Sequence, residues 1–156
     1  MKPLVVLLCV FGLTLVLQKL VRGHYEFALA ARVALSAMLV FTGIGHFVFT
    51  KGMSMMIPDF FPFKTTTVYL TGVAEIIFAI GLLIPNYRVV TAWAIIGFLV
   101  LILPANIYAS IRHVNYQDAS FGGAGLNYLW FRIPLQILFI GWAYFSAIFK
   151  GVQALK

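Results

Sequence analysis

The sequence predicts an all-α integral membrane protein, and two observations predict it. Of its 156 residues, 63% are hydrophobic and only 10% are charged, and the mean hydropathy is +1.02. A water-soluble domain needs a charged surface that this composition cannot supply. The second observation is that the apolar residues gather into five runs. Each approaches the roughly 20 residues a helix needs to cross the hydrocarbon core at 1.5 Å per residue.

The first run, Pro3 to Leu20, could pass for a signal peptide. Lys19 and Arg22, just ahead of a would-be cleavage site at Val21 and Gly23, are unusual there, so we expect a retained span. The others are Phe27 to Phe49, Thr67 to Ile84, Val89 to Ile111 and Phe131 to Phe149. Between the third and fourth, PNYR (Pro85 to Arg88) is a tight turn, so these two helices are expected to be antiparallel neighbours. The connections 50–66 and 112–130 are long, about 17 and 19 residues, and five spans put both on the side of the N-terminus. The whole chain, 1–156, reads as one membrane domain.

The same composition excludes several function classes. A net charge of +7 could suggest nucleic acid, but the eleven Lys and Arg are scattered over helix ends and short loops without a basic stripe. Membrane lipids with anionic headgroups are the better partners, and we expect no nucleic acid. The single cysteine, Cys9, has no disulfide partner and no C-x-x-C. There is no P-loop, G-x-S-x-G or N-x-[ST] pattern. For orientation, Lys2, Lys51, Lys64, Arg112 and Arg132 lie on the long-loop side; Lys19, Arg22, Arg32, Arg88, Lys150 and Lys156 lie on the other. With Arg112 and Arg132 committed to helix ends, the bias makes the C-terminus cytoplasmic and the long loops external.

Polar groups inside the spans carry the functional signal. An intramembrane charge costs about 2.5–3.5 kcal/mol on insertion scales, so it faces the bundle interior and finds partners. The second span has Thr42 and His46 one turn apart, and the third has Thr71 and Glu75. The fourth has Asn106 and His113 on nearly one face, and the fifth opens with Arg132 and Gln136. His46, Asn106 and Arg132 lie within about two turns of the long-loop side, and Glu75 about 12–15 Å from it. Four helices thus aim polar residues at one half of the membrane, which suggests a pocket whose inner wall is Glu75. The plainer reading is a structural Glu75–Arg132 ion pair with Asn and Gln as interhelical glue. Arg32, at the opposite end, is expected to snorkel to its own interface.

Pro104 frees the Val100 carbonyl and should bend the fourth helix beside the pocket. Pro134, near the expected start of the fifth, is tolerated there. FGGAG (Phe121 to Gly125) has no preceding strand or following Lys and reads as a hinge. KGMSMMIPDFFPF (Lys51 to Phe63) suits a segment lying in the interface or over the pocket mouth, where Phe60 and Phe61 could meet a flat, greasy ligand.

Several of these residues sit in recognisable motifs: GHF (Gly45 to Phe47), PDFFP (Pro58 to Pro62), YLTGVAEI (Tyr69 to Ile76), GLLIP (Gly81 to Pro85), PANIY (Pro104 to Tyr108) and R-x-P-x-Q (Arg132, Pro134, Gln136). In combination, over roughly Arg32 to Phe149, the chain resembles the DoxX-like family of small membrane proteins. The resemblance implies an antiparallel four-helix transmembrane bundle, to which the N-terminal span is an addition. It also implies either quinone-coupled redox chemistry or, by analogy with a eukaryotic branch, a chaperone-like role in assembly.

Two functions are therefore expected. One is a quinone or lipid-like ligand bound within a membrane redox system, as in a quinone-linked oxidoreductase subunit. Glu75 would relay a proton, His46 would bond a carbonyl and Arg132 would stabilise negative charge; Thr42, Thr71, Asn106, His113 and Gln136 would complete the pocket. The other is a non-catalytic assembly factor that binds a client membrane protein. A redox partner or a homo-oligomer fits the first, and small residues Ala30, Ala34 and Ala37 allow close helix contact in either. A haem or metal on His46, His113 and Glu75 is the weakest option, because spacing does not specify it. The location expected is the cytoplasmic (inner) membrane.

Overall fold

The computed structural model describes residues 2–123 and 125–149; Ala124, Lys150 and Lys156 lie outside them. A chain in lipid must satisfy its backbone internally, and helices do so within each segment. Among the described residues there are six α-helices: α1 (Lys2–Arg22), α2 (Phe27–Val48), α3 (Thr50–Ser54), α4 (Lys64–Leu83), α5 (Arg88–Ile111) and α6 (Leu126–Ala143). A π-helical stretch, Tyr144–Phe149, continues α6. All but the short α3 are long and apolar enough to span, α6 together with its π-helical end. The chain is a multi-pass integral membrane protein.

Neighbouring helices pack in a closed ring: α2 on α4, α4 on α5, α5 on α6, and α6 with its π-helical end back on α2. The result is an antiparallel four-helix bundle with α4 and α6 on one diagonal. Helix α1 packs outside it against α2 and buries only Leu7 and Gln18. The core runs through Leu35 and Leu39 of α2, Leu82 of α4 and Ile95 of α5, all fully buried, with Phe139 of α6 beside them.

Helices α2 and α4 cross with almost no side chain between them. A Cβ on Gly43 would stand 3.0 Å from the Gly72 carbonyl, and one on Gly72 would stand 3.1 Å from that of Gly43. Without a hydrophobic force between helices in lipid, close backbone approach of this kind supplies the attraction. Deeper along the same seam, Ser36 Oγ donates to Ala79 O at 2.7 Å.

The elements depart from expectation at one proline and one arginine. Helix α6 begins at Leu126, not Phe131, so Pro134 lies inside it rather than near its start. The fixed φ of proline suits a helix, and the cost is one missing backbone bond, to the Trp130 carbonyl. Pro104 lies inside α5, where the sequence places it. Arg32 does not simply reach for the interface: its Nη1 donates to Ser146 O in the π-helical stretch, 2.9 Å away.

The long loops fold onto the bundle end and onto each other. Helix α5 stops at a left-handed His113 (φ 54), with His113 N–H donating to Ser110 O and Val114 N–H to Ala109 O. Gly123 and Gly125 of FGGAG pack here: Gly123 N–H donates to His113 O, and a Cβ on Gly125 (φ +60) would overlap the His113 ring. Gly52 of α3 lies against the Tyr116 backbone, and Phe49 meets the Tyr116 ring edge-on at 6.0 Å.

Candidate functional site

The Gly43–Gly72 crossing is what brings His46 and Glu75 together. Each lies three residues beyond its glycine, in opposite directions along the membrane normal. Because helical Cβ bonds tilt towards the N-terminus, both side chains lean back to the crossing point. There His46 Nε2 and Glu75 Oε1 stand 3.6 Å apart, with Glu75 buried and His46 largely so. That distance suits an ion pair and is too long for a hydrogen bond.

The other ring nitrogen is held. Nδ1 lies 3.2 Å from Val68 O and 3.0 Å from Thr71 Oγ1. A carbonyl can only accept, so an Nδ1 bonded to Val68 carries a proton. Thr71 gives its own proton to Thr67 O or Val68 O and can accept from Nδ1. The neutral ring then presents a bare Nε2 to Glu75. This His46–Glu75 dyad lies about 16 Å down α4 from its long-loop end.

Three buried side-chain atoms near this half of the bundle have no hydrogen-bond partner among the described residues: Glu75 Oε2, Arg132 Nε and Gln136 Oε1. Gln136 Nε2 donates to Leu99 O on α5, and Asn106, buried on α5, donates to Ile102 O of its own helix. The expected Glu75–Arg132 ion pair is absent among the described residues, where Glu75 pairs with His46. The reason is topological: α4 and α6 are diagonal in the ring, whereas α4 and α2 touch.

The remaining predicted residues lie elsewhere. Thr42 turns its hydroxyl back to Met38 O and Leu39 O. His113 is exposed on the loop after α5, and no three His, Cys, Asp or Glu among the described residues gather as a metal set. Phe60 and Phe61 are exposed on the loop before α4.

Sequence reasoning missed a clasp that fixes this loop. Asp59 accepts from Lys64 Nζ at 2.7 Å, from Tyr108 OH at 3.1 Å and from Arg112 Nη2 at 2.9 Å. The Lys64 hydrogen bond, then that of Tyr108, holds the Asp59 carboxyl below its ordinary value, and the bond to Tyr108 raises Arg112. The signal was present, because Asp59 and Tyr108 sit in the PDFFP and PANIY motifs. Behind the clasp, a cavity of about 220 Å³ lies among Met56, Ser110, Asn115 and Gly123. A larger one, about 450 Å³, lies at the other end between α1, α2 and α6.

A family model described as a domain of unknown function (DUF8561) matches residues 35–147. The chain belongs to the DUF8561 family. No curated protein and no solved structure matches it. The DUF8561 segment begins within α2 and ends in the π-helical stretch, so the His46–Glu75 dyad, the Asp59 clasp and the orphaned atoms all lie inside it, and α1 lies outside.

Proposed function

We propose that this DUF8561 protein is a DoxX-like component of a membrane redox system, located in the inner membrane, and that its dyad half binds a quinone or similar amphiphile. The observation that carries the reading is the set of three orphaned atoms. A buried polar atom left unpaired costs about 1–3 kcal/mol, so a ligand that pairs with it binds with that advantage. The set holds one donor, Arg132 Nε, suited to a quinone carbonyl, and two acceptors, Glu75 Oε2 and Gln136 Oε1, suited to the hydroxyls of the reduced form.

A quinone supplies two-electron chemistry when bound, and the electrons come from a redox partner or a soluble reductant. The chain's own contribution is to hold a proton on His46 or Glu75, to keep the imidazole oriented through Val68 and Thr71, and to exclude water with apolar walls. The motif residues of the DoxX-like resemblance support the reading, since His46, Glu75, Asn106, Arg132 and Gln136 all belong to it. A non-catalytic assembly role is the second reading. It is favoured by the observation that neither cavity described above is lined by Glu75, His46 or Arg132.

The test is mass spectrometry of an organic extract from mildly solubilised protein, beside Glu75→Gln. Stoichiometric quinone in the native protein, reduced about tenfold in the folded variant, is the expected result. Equal content in the two, or none in either, counts against the redox reading and moves the search to a client protein.

A further inference from the structure

The 450 Å³ groove at the far end of the bundle is independent of the dyad, and Arg32 stands beside it. Phe11 of α1, Phe27 and Ala31 of α2, and Gly141, Trp142 and Phe145 of α6 and its π-helical end form apolar walls open along one side. Its corners are rigid: Trp142 Nε1 donates to Ala31 O at 3.0 Å, and Phe11 meets the Trp142 ring edge-on at 5.1 Å. A groove of this size leaves room for an apolar chain along its open side.

Ser146 also lines the groove, and its carbonyl is the one that Arg32 grips. Arg32 therefore stands at the groove's polar end, about 7 Å in from the start of α2. A guanidinium has five N–H donors, and a single one is used here among the described residues. No carboxylate pairs with it there, since the nearby Glu26 is held by Arg22 at 2.6 Å and by His24. The surrounding charge is positive on balance: Arg88 repels Arg32, Glu26 attracts it but is offset by its own partner Arg22, and Lys19 lies at the same end of α1. A planar fork with free donors, in a positive field, matches a phosphate diester and favours a lipid with net negative charge.

We infer that this groove is a binding site for one acidic phospholipid, its phosphate on Arg32 and an acyl chain between α1 and α6. The site uses α1 as a wall, which gives the helix added outside the bundle a purpose. It also shares no residue with the dyad, so the two sites fail separately.

The experiment is native mass spectrometry of the full chain released from nanodiscs of phosphatidylglycerol and phosphatidylethanolamine. Three variants are compared: Arg32→Gln, which keeps a donor for Ser146; Gly141→Leu; and Gly97→Leu as a control. A Cβ at Gly141 or at Gly97 meets nothing within 4 Å, but only Gly141 lines the groove. We expect one phosphatidylglycerol retained by the native chain and by Gly97→Leu, with affinity at least about tenfold weaker in the other two. Equal retention by all four proteins overturns the inference, as does equal retention of the two lipids. Loss in Gly141→Leu but not in Arg32→Gln overturns it too, because the occupant would then be a neutral lipid.

Discussion

The two ends of the bundle solve the same problem in opposite ways. Towards the long loops, polar side chains from four helices enter the membrane, and helix crossing decides which of them meet: His46 and Glu75 share a dyad, while Glu75, Arg132 and Gln136 each keep one buried atom unpaired among the described residues. At the other end a single guanidinium stands beside an apolar groove, anchored on one carbonyl. Lipid offers no hydrogen bonds, so a polar group there is retained where a neighbouring helix or a bound molecule completes it. The difference teaches that the number of polar residues in a span says less than which backbones approach closely enough to pair them.

The largest test of that contrast is steric. Gly72→Leu must place a Cβ 2.7 Å from the His46 Cβ and 3.1 Å from the Gly43 carbonyl, whereas Gly97→Leu finds open space. We expect the first to lose about 3 kcal/mol of stability in detergent unfolding and the second less than about 0.5 kcal/mol. Equal losses would show that the α2–α4 crossing is no more constrained than a lipid-facing surface.

A smaller effect separates the dyad from its expected alternative. In a double-mutant cycle, His46→Ala and Glu75→Ala should couple by about 1 kcal/mol, while Glu75→Ala and Arg132→Ala should be additive within about 0.5 kcal/mol. Coupling to Arg132 of the size predicted for His46 would restore the diagonal pair and break the comparison.

The smallest effect concerns the exposed clasp. Hydrogen bonds lower the Asp59 pKa in the folded protein, so its contribution is present above the unfolded value and is lost as pH falls through the folded one. The clasp should therefore hold above its ordinary 3.8 and loosen only in stronger acid. Pepsin cleavage within Lys51–Phe63 should rise over that acid range in the native chain and be already high in Asp59→Asn. Identical profiles would mean that the loop is held by packing alone.

The fold class was legible because it rests on one-dimensional physics. Five apolar runs of spanning length, separated by a PNYR turn and two long loops, leave a chain in lipid little choice but a helical bundle. That α2 and α4 bring polar residues within reach of each other was also legible, since rise per residue gives position along each helix. Azimuth was not. Depth could not tell Arg132 on the diagonal helix from His46 on the adjacent one. Nor did spacing show that the Thr42 hydroxyl is taken up by its own helix, or that His113 ends α5 in a left-handed cap outside the bundle.

What the sequence by itself determined, then, is the solvent, the helices and the depth of each polar group, because apolar length and 1.5 Å of rise are properties of a single segment. Only the tertiary structure decided the partners. Gly43 and Gly72 let two backbones touch, the ring order sets α6 across from α4, and the Asp59 clasp joins groups 49 and 53 residues apart. Those are relations between segments, and they depend on how the helices pack rather than on what any one of them contains.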